Sequence, residues 1–182
     1  MYKRQDIVLC TKVGNVASIP EGVLIDHSYH NIHAATRRSL KRLNTDYIDI
    51  LYLHGNPYSQ EKNEIEESED ALKALKKEGL IKSYGCSIGG NFKGFDDLLK
   101  KFPIVQLHYN PLFDKARTLL DKVDAKKNTI IISSPLSRGL LGAKKIRDFS
   151  GEEYSGDIRK SWLLNPIPVS YTHLTLPTIL LV

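Results

Sequence analysis

The stretch RSLKRLNTDYIDILYLH, Arg38 to His54, holds the end of one apolar helical stripe and the whole of one apolar strand run. Upstream, Ile32, Thr36, Leu40 and Leu43 fall four, four and three residues apart, so they share one face of a helix whose other faces carry Arg37, Arg38, Lys41 and Arg42. Downstream, YIDILYL from Tyr47 to Leu53 reads as a strand. A further apolar run, IVLC at Ile7 to Cys10, precedes the helix and completes a strand–helix–strand unit.

The pattern repeats outward. Strand runs are expected at Ile81 to Cys86, Ile104 to Tyr109 and Thr129 to Ser133. Helical stripes fall between them: Ile65, Leu72 and Leu75; Phe95, Leu98, Leu99 and Phe102; and Leu112, Ala116, Leu119 and Val123. In the first of these, acidic residues from Glu64 to Asp70 lead and Lys73, Lys76 and Lys77 follow, which suits the helix dipole, and Gly79 ends it. The class is α/β with parallel β/α units. Five strand starts recur about every 30.5 residues. An eight-fold β/α barrel uses roughly 31 residues per unit and about 250 in all, so 182 residues could hold about six units. A doubly wound domain of five strands also fits that length.

Composition narrows the function classes. With 41% hydrophobic and 26% charged residues the chain has a globular make-up, and 26 basic residues against 21 acidic ones are spread without a basic stripe. Nucleic-acid and membrane partners are not expected. Cys10 and Cys86 read as thiols in a reducing, cytoplasmic setting.

Polar residues at strand ends point to one site. Lys12, His54 and Ser87 each follow an apolar run, and the carboxyl ends of parallel strands are where α/β folds gather ligands. Alone, each has an ordinary reading: a solvated lysine, a packed histidine, and a turn beside Gly85, Gly89 and Gly90. Gln106 lies in an otherwise apolar strand, where its amide needs a partner. Other chemistry finds little footing. His27, His30 and His33 recur at intervals of three, but zinc needs three or four converging ligands and no short CxxC pair is present, so no metal is expected and they read as solvated histidines near a helix start. No GxSxG motif occurs.

The segments TKVG, RRSLKRLNTDYIDILYLH, YGCS, VQLHYNPL and SPLSRGLLGAK resemble an aldo-keto reductase from about Asp6 to Asn165. The resemblance implies an incomplete (β/α)8 TIM barrel, approximately family strands 3 to 7 with their helices, in an internal fragment of the family. It implies a nicotinamide cofactor, NADP with NAD as the alternative, and NAD(P)H-dependent reduction of an aldehyde or ketone by the parent protein. The fragment itself is expected to be inactive, and the alternative is a noncatalytic structural or cofactor-binding remnant. The family lysine falls on Lys12 and the family histidine on His54. Ser87 and Gln106 fall where relatives bind the nicotinamide carboxamide, and Ser134, Leu136 and Arg138 where they enclose the pyrophosphate. Ile88 stands where many relatives have Asn, and Ser133 where an aromatic residue stacks on the nicotinamide. The family tyrosine and aspartate lie upstream of the lysine, and eleven residues precede Lys12.

The two ends read differently from the rest. Residues 167 to 182 contain no Asp, Glu, Lys or Arg, and YTHLTLPT resembles translated adapter sequence, as does MYKRQ. Residues 1–5 are therefore expected to be a non-native leader and 167–182 a non-native tail, leaving 6–166 as the partial barrel domain.

Overall fold

The computed structural model describes residues 4–19, 22–59, 65–137 and 141. Most of the expected leader and the whole expected tail lie outside these residues. The described residues form two compact units, one holding those up to His108 with Lys115–Ser133, the other holding Tyr109–Asp114 and those from Ser134 onward.

Among the described residues, every strand and helix lies in the first unit. In chain order these are β1 (Cys10–Val13), β2 (Asn15–Ile19), β3 (Gly22–Ile25), α1 (Tyr29–Leu43), β4 (Ile48–His54), α2 (Ile65–Lys77), β5 (Ile81–Gly89), α3 (Phe95–Lys101), β6 (Ile104–His108), α4 (Arg117–Leu120) and β7 (Thr129–Ser133). Five strands pair in parallel in the order β1-β4-β5-β6-β7, and β2 and β3 form a separate antiparallel hairpin. The order advances in one direction without reversing. Parallel crossovers are almost always right-handed, so such an order sets successive helices on the same face. A doubly wound sheet needs a reversal of strand order, and this sheet has none among the described residues. The topology is that of an incomplete (β/α)8 barrel.

Burial follows from this one-sidedness. Side chains alternate across a strand, and Leu51, Leu53, Cys86, Val105 and Leu107 point to the helix side, all of them fully buried. They meet Ile32 and Leu40 of α1, Leu72 and Leu75 of α2, and Leu98 of α3 in one core. Ser28 caps α1 by accepting from the Asn31 amide at 3.3 Å, and Asn44 ends it in the left-handed region at φ 49°. Leu43, expected in the buried stripe, is 45% exposed at the last turn, and Ser39 takes a buried place instead.

Two expectations are corrected and one element is new. The first strand lies at Cys10–Val13 and not at Ile7–Cys10, because Asp49 Oδ2 accepts from Leu9 N at 2.9 Å and the backbone of Asp49 donates to Leu9 O at 3.0 Å, so the ladder begins there. Ile7 and Val8 stay exposed. The stripe from Leu112 to Val123 yields only the short α4, since Asn110 Oδ1 accepts from Leu112 N at 2.9 Å and holds the chain in a turn. The β2–β3 hairpin was not expected at all.

The amino-terminal end of the sheet is fastened at Asp49. Arg4 and Lys82 each reach this carboxylate at 2.9 Å, and both cations also lie over the Tyr47 ring, at 4.1 and 4.2 Å from its centroid. The Leu9 amide, together with the Lys82 and Arg4 contacts, holds the Asp49 carboxyl down to about 2 from an ordinary 3.8. A depressed carboxylate contributes stability above its unfolded value and loses it as pH falls through the folded one. Asp49→Asn is expected to lower Tm at neutral pH and to flatten the loss of stability between pH 3.8 and about 2, measured by thermal melts across that range.

Candidate active site

The parallel register places the expected site residues by rows. Lys12 pairs with Tyr52, Tyr52 with Gly85, and Gly85 with Ile104. One step toward the carboxyl ends on the same face, His54 pairs with Ser87, Ser87 with Gln106, and Gln106 with Ile131. Residues two apart share a face, so Lys12, His54, Ser87 and Gln106 all stand on the side opposite the helix-packed core. Lys12 and Ser87 lie within their strands and His54 is the last residue of β4, where the sequence suggested positions just past strand ends.

Each contact has a local cause. Ser87 Oγ donates to Gln106 Oε1 at 2.9 Å, which gives the strand amide the partner it required. The pair engages the carbonyl end of Gln106, so its NH2 end is the donor it can offer a ligand. Gly85 must be glycine, because a Cβ there would collide with the Ile104 carbonyl of the next strand. Past β4, the buried Asn56 donates to the carbonyls of Asn91 and Lys93 at 2.8 and 2.9 Å and accepts from Tyr58 N at 2.9 Å, joining the loops that follow β4 and β5.

Electrostatics separate the ring and the cation. Burial, then the charges of Lys12 and His27, push the His54 imidazole below its ordinary 6.5, so it stands neutral at pH 7. The Lys12 ammonium lies 5.8 Å from the centre of the Tyr52 ring. Tyr52 is 3% exposed, and burial followed by Cys10 pushes its hydroxyl up from 10, the opposite of what an activated proton donor needs. Burial also raises Tyr58 and Tyr84.

The second unit carries the other two described positions. Ser134 and Ser137 adopt left-handed backbone at φ 57° and 47°, and Asn110 Nδ2 donates to Ser134 O at 3.0 Å. Leu136 between them is 54% exposed. Arg138 lies outside the described residues.

The sequence pattern of the aldo/keto reductase family matches residues 1–170. The chain belongs to the aldo/keto reductase family. It is 35% identical over 148 residues to the Bacillus subtilis oxidoreductase YqkF, covering 79% of this chain and 47% of that protein. It is 27% identical over 163 residues to D-arabinose 1-dehydrogenase of Saccharomyces cerevisiae, covering 81% and 47%. Among solved structures, the holo form of an aldo-keto reductase from Bacillus halodurans superposes with a TM-score of 0.71 at 32% identity, covering 82% of this chain and 50% of that one. This aldo/keto reductase chain thus spans about half the length of the relatives it matches.

Two contributors to the site were missed from sequence. His27 reads from sequence as a solvated histidine near a helix start, yet it is fully buried and its Nε2 donates to the His54 carbonyl at 3.1 Å. Asn56 was not singled out. A polar residue directly after His54 and Gly55, at the carboxyl end of an expected strand, was the available signal for it.

Protonating His54 costs folded-state free energy, so acidification through 6.5 favours unfolding at this residue. Titration of the His54 ring by NMR is expected to give a midpoint below 6.5 that rises in Lys12→Met. A midpoint unchanged by Lys12→Met would contradict the placement of the cation.

Proposed function

We propose that the protein to which these residues belong reduces an aldehyde or ketone to an alcohol at the expense of NADPH, with NADH as the alternative donor. The observation that carries this reading is the row His54, Ser87, Gln106 with Lys12 on the adjoining strand, all on the face away from the core. Family membership supports the same chemistry.

The donor set suits the cofactor. Ser87 and Gln106 form a hydroxyl and amide pair on an apolar strand, the kind of group that hydrogen-bonds a carboxamide and fixes the face of a flat ring. Ser134 and Leu136 are assigned to the pyrophosphate, and Arg138 would answer its charge. When bound, reduced nicotinamide supplies the hydride.

The remaining work falls to this chain's side chains. A neutral His54 keeps an N–H for the substrate carbonyl oxygen, which orients the carbon and draws charge onto the oxygen. Lys12 supplies a fixed cation that favours release of a proton from the tyrosine acid of the longer protein. The alcohol oxygen also needs a proton. Tyr52, whose hydroxyl is raised by burial, is not assigned that role. The acid is assigned to a tyrosine upstream of Lys12 in the longer protein, in keeping with the family pattern.

The full-length gene product is expected to oxidise reduced nicotinamide with a panel of aldehydes, read as loss of its absorbance. Lys12→Met and His54→Ala are each expected to lower kcat by about 10²-fold or more. The 182 residues alone are expected to turn over weakly or undetectably. A full-length protein that binds nicotinamide but reduces no carbonyl would favour the noncatalytic remnant.

A further inference from the structure

The β1–β4 ladder ends at the pair Val13 and Leu53. One residue on, three segments meet at one point: Gly14 leaving β1, the carbonyl of His54 closing β4, and His27 between the hairpin and α1. His27 is fully buried, and its Nε2 lies 3.1 Å from His54 O. A carbonyl only accepts, so this nitrogen carries the proton and the tautomer is set by the contact. The ring can reach there because residue 14 has no side chain. A Cβ on Gly14 would come within 2.7 Å of His27 Nε2 and Cδ2 and 3.4 Å of His54 O, and its φ of 117° suits glycine. Asp26 N donates to Gly14 O at 2.8 Å and draws the foot of the hairpin onto the same point.

We propose that His27 is a positioning residue for the site: its Nε2–H holds the His54 carbonyl beside Gly14 and so fixes the end of β4 relative to Lys12 on β1. The inference rests on reading Lys12 and His54 as a working pair. Nothing in the spacing of His27, His30 and His33 suggests it, because the partner is a backbone oxygen 27 residues away. His27 acts through position and not by touching substrate. Without its bond, the His54 carbonyl is held only from the β5 side, where His54 pairs with Ser87 and the Gly55 amide donates to Ser87 O at 2.9 Å, and the tie that sets the ring's distance from the Lys12 ammonium on β1 is lost.

The charged groups acting on the His54 ring are Lys12 and His27. Both His27→Gln and His27→Leu remove the second of these, but only glutamine keeps an N–H within reach of the carbonyl. The experiment is a double-mutant cycle on the 182-residue chain, reading the shift of the His54 titration midpoint by NMR when Lys12→Met is added. The shift is expected to keep its parent size in the His27→Gln background and to fall by more than half in His27→Leu. Equal shifts in both backgrounds would overturn the proposal. Should His27→Leu fail to fold, the unsubstituted chain decides: long-range 1H–15N correlation is expected to show His27 with its proton on Nε2, and a proton on Nδ1 alone overturns the assignment. These readouts need neither cofactor nor substrate. A failure of the reductase reading, seen as absent turnover by the full-length protein, leaves them unmoved.

Discussion

The parallel register that sets His54 beside Ser87 and Ser87 beside Gln106 is the constraint on which the rest of the structure depends. It goes with a strand order that does not reverse among the described residues, which puts the helices on one face and the row of polar residues on the other. The buried side chains Leu51, Leu53, Val105 and Leu107 hold that register, since a slip of one residue would exchange every core position with a site position. Stability and site geometry are therefore coupled. Both ends of the β1–β4 pair are also fastened by side chains, Asp49 at the amino-terminal end and His27 at the carboxyl-terminal end.

Much of this was legible in the sequence, for reasons that can be named. Apolar runs with little alternation mark strands buried in a parallel sheet, and four of the five expected runs coincide with β4 to β7 to within one residue at each end, except that β5 runs three residues further, to Gly89. Lys12, His54, Ser87 and Gln106 could be grouped because strand-end residues in parallel β/α units converge. The requirement that the Gln106 amide find a partner was met by Ser87 on the neighbouring strand.

What escaped the sequence depends on contacts rather than periodicity. The run at Ile7 looks like a strand, but the ladder starts only where Leu9 meets Asp49, forty residues on. Leu112 to Val123 has helical spacing, yet a side-chain turn at Asn110 consumes its first residues. The β2–β3 hairpin is short and lies between two stronger signals, although Pro20 and Gly22 between apolar neighbours were a turn cue. His27 reads as a solvated helix-start histidine, while its burial is set by a backbone carbonyl partner and by the missing side chain of Gly14.

The central claim is that the face bearing Lys12, His54, Ser87 and Gln106 is the working face. A crystal structure of the full-length protein with oxidised nicotinamide coenzyme tests it most directly. The account requires the carboxamide within about 3.5 Å of Ser87 Oγ or the Gln106 amide, with the ring on the same side of the sheet as Lys12 and His54. Coenzyme seated on the helix-covered side, or carboxamide contacts that involve neither Ser87 nor Gln106, would contradict it.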